Sequence, residues 1–223
     1  MYKILFIDEQ KEDIDNFKDY VEEKDLQGEF IVESLLPMEN EDEMIEMVFS
    51  LKADAIVTDF MLNEYKDSID FNVPYNGATL VQKILSEREE FPCFVMTSFD
   101  DQAVGQSEDV NLVYIKGILH GSEKDTKAKA NFLDRVKSQI THYRAKVERA
   151  EARLLFLIDE AQKRRLDAQE EEELISLDSF IEKALDKTSA VPKVSKKESE
   201  LSHLAELLAK VDALTVKLDN KNG

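Results

Sequence analysis

One cysteine, six glycines and no long apolar run in 223 residues exclude several common chemistries. Cys93 has no second thiol to pair with, so no intrachain disulfide forms and a reducing compartment fits. Its neighbourhood, "FPCFVMT", is apolar and supplies no cation to activate a thiolate, so the residue reads as packing rather than as a nucleophile. The glycines form no phosphate-cradling loop of the G-x-x-x-x-G-K-[ST] kind, which sets nucleotide hydrolysis aside. No stretch nears the roughly 18 apolar residues of a membrane span. "MYKILFIDEQ" reaches acids by residue 8, so neither a signal nor a transit peptide is expected, and the expected location is cytoplasmic.

Basic charge is scarce too, but only in one half. Residues 1–121 hold 9 Lys+Arg against 28 Asp+Glu, while residues 122–223 hold 20 against 20, so the first half carries the whole net charge of -19. Such a surface repels duplex nucleic acid, and the second half has no sustained basic stripe. The short "KRR" at 163–165 reads as a solvated helix face.

The first half alternates strand-like apolar runs, "YKILFID" (2–8), "EFIVESLL" (29–36), "ADAIVTD" (53–59), "FPCFVMT" (91–97) and "VNLVYIK" (110–116), with amphipathic segments over 9–25, 40–51, after Gly77 and, weakly, over 100–108. Strands that are apolar throughout need burial on both faces. The pattern predicts an α/β fold with a doubly wound, five-stranded parallel sheet over 1–121. From Ser122 the pattern becomes helical only. Val136, Ile140, Tyr143, Val147, Ala150, Leu154, Leu157 and Ala161 alternate steps of four and three, a coiled-coil seam. No Gly or Pro interrupts 122–168, and a helix of that length would extend roughly 70 Å. Asp167 with Glu170 forms a capping box that opens another helix over 168–186. "TSAVPKVSKK" (188–197) reads as a linker, and 198–223 as a last amphipathic helix with Leu201, Leu204, Leu208, Val211, Thr215 and Leu218 on one seam. The expected organisation is 1–121, then a helical hairpin or coiled coil over 122–187, a linker, and a terminal helix that docks a partner or caps the bundle. The seam predicts a homodimer through 122–165, with packing inside one chain as the alternative.

In a doubly wound sheet, ligands bind beyond the carboxyl ends of the strands. Four of the five expected strands end there on a functional group: Asp8 and Glu9, Asp59, Thr97 with Ser98, and Lys116. Crowded carboxylates favour a hard divalent cation with oxygen ligands, for which Mg²⁺ fits. A cation and an ammonium beside a carboxylate equip it to accept a phosphoryl group, with Thr97 donating a hydrogen bond to that group.

Residues 1–121 thereby resemble the receiver domain of two-component response regulators. "ILFIDEQ" is similar to the family's first strand with its acidic pair, "ADAIVTDFML" to its phosphoacceptor strand, "NGATLVQKIL" to its third helix, "FPCFVMTSFDD" to its threonine strand and "VYIKG" to its lysine strand. The resemblance implies Asp59 as phosphoacceptor, Asp8 and Glu9 as metal-binding acids, a metal-facing backbone carbonyl at Met61, Thr97 as the switch hydroxyl and Lys116 as the phosphate-sensing cation. It implies a sensor histidine kinase or phosphotransfer protein as donor, an unidentified downstream protein as target, and no catalysis beyond self-phosphorylation and autodephosphorylation. The alternative is a pseudo-receiver scaffold that docks proteins constitutively. An aspartyl-phosphate phosphatase wants a second aspartate two residues after the first, where this chain has Met61.

The chain departs from the family pattern at several points. Glu9 stands where aspartate is usual, Asn63 and Gly117 where proline is usual, and Val113 at the aromatic switch position, with Tyr114 beside it. "EYKDSIDFNVPYN" (64–76) is an insertion, read as a variable surface loop rather than a lid. Met61 and Phe99 flank the expected approach of hydrolytic water and are expected to slow loss of phosphate. His120, His142 and His203 lie in no phosphotransfer motif.

Overall fold

A computed structural model describes residues 1–63, 69–97, 113–115 and 132–185. The chain divides into two compact units, Met1–Arg144 and Ala145–Gly223.

The first unit is built on β1 (Tyr2–Ile7), β2 (Phe30–Leu35), β3 (Ala55–Asp59), β4 (Cys93–Thr97) and β5 (Val113–Ile115). They form one sheet in the order β2-β1-β3-β4-β5, and each pair is parallel. Helices α1 (Lys11–Lys24), α2 (Glu41–Ser50) and α3 (Gly77–Glu87) make the crossovers. This is the flavodoxin-like order, whose topological switch lies between β1 and β3.

Strand parity explains why the apolar runs are unbroken. Ile4 and Phe6 of β1 point to one face, where they meet Ile14, Phe17, Tyr20 and Val21 of α1. Leu5 and Ile7 point to the other, against Met44, Ile45 and Val48 of α2 and Leu80, Val81 and Ile84 of α3. Both faces are covered, so both parities must be apolar. The helix starts are fixed locally: the Asn40 side chain accepts from the Asp42 amide at 2.8 Å, and Asn76 and Thr79 close a reciprocal capping box at the start of α3.

The first unit runs past the boundary expected at 121. Helix α4 (Phe132–Lys163) sends Phe132, Leu133, Val136 and Ile140 into the α1 face of the sheet. Phe132 alone meets Phe17, Tyr20 and Phe94 at centroid distances of 6.4, 6.4 and 5.8 Å. Outside this contact, Lys137 pairs with Glu29 at 2.6 Å and Arg144 with Asp54 at 2.7 Å, both cations lying over the Tyr2 ring.

In the second unit, the later turns of α4 face α5 (Ala168–Leu185). Ala150, Leu154 and Ile158 pack with Ile181, flanked by Leu174, Leu177 and Phe180. The expected capping box is present: the Asp167 carboxylate accepts from the Gln169 and Glu170 amides at 2.9 Å each, and Glu170 accepts from the Asp167 amide at 3.0 Å. The dimer seam expected over 122–165 is therefore filled within one chain at Val136, Ile140, Ala150 and Leu154. A dimer through those positions would have to open these cores first. The large apolar side chains that α4 leaves exposed are Leu155 and Phe156. The linker at 188–197 and the terminal helix expected at 198–223 lie outside the described residues. No helix among the described residues is long and apolar enough to cross a membrane.

Candidate functional site

Asp8 and Glu9 follow the last residue of β1, and Asp59 is the last residue of β3, so the switch point brings the three acids to one place. One carboxylate oxygen from each lies within 4.8 Å of the others. All three are buried, at 0, 1 and 4% exposure. At an effective dielectric near 20, two unit charges at that spacing repel by roughly 3 kcal/mol, and partly dehydrated carboxylates feel it fully. An all-oxygen donor set of this size suits a hard divalent ion such as Mg²⁺, which would offset this repulsion. Glu9 reaches the cluster with its longer side chain, so three acids meet there.

The surrounding backbone fixes these side chains. The Gln10 amide donates to Asp8 Oδ1 at 2.8 Å, and the Met61 amide donates to Asp59 Oδ2 at 3.1 Å. Beyond Asp59 the chain is tied at Phe60, whose amide donates to the Met96 carbonyl at 2.7 Å and whose carbonyl accepts from Gly77 at 2.9 Å. Gly77 opens α3 directly under this turn. A Cβ at that position would lie 1.9 Å from the Asp59 carbonyl oxygen, so no side chain fits. Thr97, at the end of the adjacent β4, is 1% exposed.

Of the residues read from the sequence, the structure thus gathers Asp8, Glu9 and Asp59, and places Met61 two residues beyond the end of β3 and Thr97 at the end of the neighbouring β4. Lys116, Ser98, Phe99, Gly117, His120 and His203 lie outside the described residues, and Val113 and Tyr114 are placed as backbone of β5. His142 is exposed on α4 and takes no part in the cluster.

Three residues that shape the site, Gly77, Asn63 and Tyr75, have no role in it on sequence grounds alone. Gly77 was visible as "NG" opening an apolar helical stripe, which signals a cap and a tight approach. Asn63 and Tyr75 carried no such signal, because their partners, Asn72 with Val73 and Met38, are specified only by the folded chain.

No family model matches the chain, and no curated protein matches its sequence. Solved structures of the response regulator RcsB are similar to it at low identity. One from Salmonella typhimurium is 14% identical, with a TM-score of 0.43 over 93% of each chain. A second is 13% identical with a TM-score of 0.42, covering 87% of this chain and 96% of that one. A third, RcsB from Salmonella enterica serovar Typhimurium bound to a promoter in the presence of phosphomimetic BeF3-, is 13% identical with a TM-score of 0.42, covering 82% of this chain and 91% of that one. At these scores the likeness adds nothing to what the site's own geometry says.

Proposed function

We propose that the first unit is a phosphoacceptor module of the response-regulator kind, in which Asp59 takes a phosphoryl group from a histidine kinase or phosphotransfer protein. The observation that carries this reading is the convergence of Asp8, Glu9 and Asp59 within 4.8 Å at the β1/β3 switch, buried and oxygen-only.

The roles follow from the donors. Asp8 and Glu9, with an Asp59 oxygen and the Met61 carbonyl, are the groups that would hold Mg²⁺. When bound, the ion offsets the carboxylate charge and that of the incoming phosphoryl oxygens. The Met61 amide on Oδ2 orients the Asp59 carboxylate for in-line attack. An Asp59 oxygen attacks phosphorus, the P–N bond to the donor imidazole breaks, and an acyl phosphate remains on Asp59. Thr97 donates its hydroxyl hydrogen to a phosphoryl oxygen, and Lys116 supplies the second positive charge. In this reading the chain is not an enzyme beyond accepting and hydrolysing its own phosphate, and the helical second half passes the signal to another protein. The first half's charge of -19 argues against nucleic acid as that partner.

Intact mass after incubation with acetyl phosphate and Mg²⁺ tests the proposal. The expected result is one added phosphoryl group on the wild type, none on Asp59→Ala, and none for either protein in excess chelator. Wild type that gains no mass while retaining Mg²⁺ binding overturns it and leaves a protein-docking scaffold.

A further inference from the structure

The insertion between β3 and α3 is not a loose surface loop over its described part. Ile69, Val73 and Tyr75 are buried in the core on the α2 and α3 face. The Tyr75 hydroxyl donates to the Met38 carbonyl at 2.7 Å and accepts from the Met38 amide at 3.1 Å. Burial pushes its pKa up to about 12, so the proton needed for that donation stays in place across the physiological range. The segment is thus anchored at one end to the turn between β2 and α2.

Its other attachment is to the acceptor loop. The Asn63 side-chain amide donates to Asn72 Oδ1 at 2.8 Å, and Asn63 Oδ1 accepts from the Val73 amide at 3.2 Å. Only Phe60, Met61 and Leu62 separate Asn63 from Asp59. Phe60 is fixed at both its backbone groups and Leu62 is buried at 1% exposure. Met61 follows a fixed residue, and its own amide is held by Asp59 Oδ2 at 3.1 Å, so the next tie along the loop that can set its carbonyl is the one at Asn63.

We propose that Asn63 is a positioning residue for the acceptor site: its side chain clamps the loop that carries Met61 onto the segment 72–75, which Tyr75 in turn fastens to Met38. The part concerning metal rests on the phosphoacceptor reading above. A side chain bonded at both its donor and its acceptor leaves the loop fewer conformations, so the Met61 carbonyl and the Asp59 carboxylate meet an ion already arranged. The insertion then acts as a strut for the site.

The test uses the full chain and the variants Asn63→Ala, Asn63→Asp and Asn72→Ala, the last at an exposed position where folding is not at stake. Without metal, hydrogen exchange of the Met61 and Leu62 amides should quicken about tenfold in Asn63→Ala and Asn72→Ala, while β3 and β4 exchange as in the wild type. Asn63→Asp should restore slow exchange, since Asn72 can turn its NH₂ group toward the new carboxylate while the Val73 bond is kept. With acetyl phosphate, the Mg²⁺ concentration for half-maximal adduct formation should rise about tenfold in Asn63→Ala, as for loss of other groups that orient metal ligands, with the saturating rate within about twofold. Unchanged loop exchange in Asn63→Ala overturns the proposal, as does exchange that quickens uniformly across the sheet, which would mark a general loss of stability. Faster loop exchange with an unaltered Mg²⁺ requirement overturns the positioning role. If the wild type itself takes no phosphoryl group, the phosphoacceptor reading falls, and the exchange experiment still decides whether the clamp exists.

Discussion

Helix α4 serves two neighbours with one sequence period. Its first turns give the sheet Phe132, Leu133, Val136 and Ile140, inside a cluster of fourteen buried residues among those described; its later turns give α5 Ala150, Leu154 and Ile158, which among the described residues meet buried Ile181. Around the second cluster lie ion pairs instead. Arg153 holds Glu173 through two bonds of 2.9 and 2.7 Å, and Arg164 holds Glu170 through two of 2.7 and 2.6 Å. Heptad spacing says that a helix has an apolar seam, not what fills it. Among the described residues, the first unit depends on burial, whereas the hairpin combines a smaller apolar cluster with surface charge pairs that each contribute little.

The largest expected effect is at Phe132. Its ring touches three other aromatic rings at 1% exposure, so Phe132→Ala should lower the first unit's stability by about 3–5 kcal/mol. All six tyrosines of the chain lie at or before residue 143, so tyrosine fluorescence during urea unfolding reads this unit alone. Leu154→Ala makes the matching test in the hairpin, where a side chain only 2% exposed is truncated, and should cost about 2–5 kcal/mol there. It should lower the midpoint of the helical circular dichroism signal and leave in place both the tyrosine transition and the proposed phosphoryl uptake at Asp59. Equal displacement of both signals by either variant would break the contrast between the two regions.

A smaller effect sharpens it. Gly77→Ala places a methyl against the Asp59 carbonyl, and relieving that overlap should cost about 1–3 kcal/mol in the first unit. Because the clash falls on the backbone of Asp59, the proposed acceptor, adduct formation should drop further than stability does. A variant that loses stability but phosphorylates at the wild-type rate would show that the turn after Asp59 tolerates movement.

The same contrast explains what was legible beforehand. Unbroken apolar runs ending on Asp8, Asp59 and Thr97 located three strand ends and their polar groups, because continuous apolarity has one explanation in a parallel sheet. The acid cluster followed once the switch between β1 and β3 was placed. The boundary at 121 did not, since nothing in the spacing of Phe132, Val136 and Ile140 says that a sheet, rather than a second helix, receives them. The described part of the insertion, 69–76, departs from the expected surface loop for a related reason: "DFNVPYN" has no periodicity, and the burial of Val73 and Tyr75 comes from partners far away in sequence.

The smallest expected effect lies in the cap of α5 and has a definite direction with pH. The Arg164 guanidinium, and then the Asp167 amide, hold Glu170 down at about 2 against an ordinary value of 4.5. A carboxylate depressed by folding contributes stability that is fully present above 4.5 and is lost as pH falls toward 2. Arg164 is exposed and Glu170 lies partly open beside it, so water and salt screen the pair and the contribution is small. Between pH 5 and 2 the thermal midpoint of the helical signal should therefore fall more in the wild type than in Glu170→Gln, with the two meeting near pH 2. At 1 M salt the gap should narrow already at pH 7. A variant that tracks the wild type at every pH would mean that the Asp167 carboxylate, on the Gln169 and Glu170 amides, holds this helix start without help from Glu170 or Arg164.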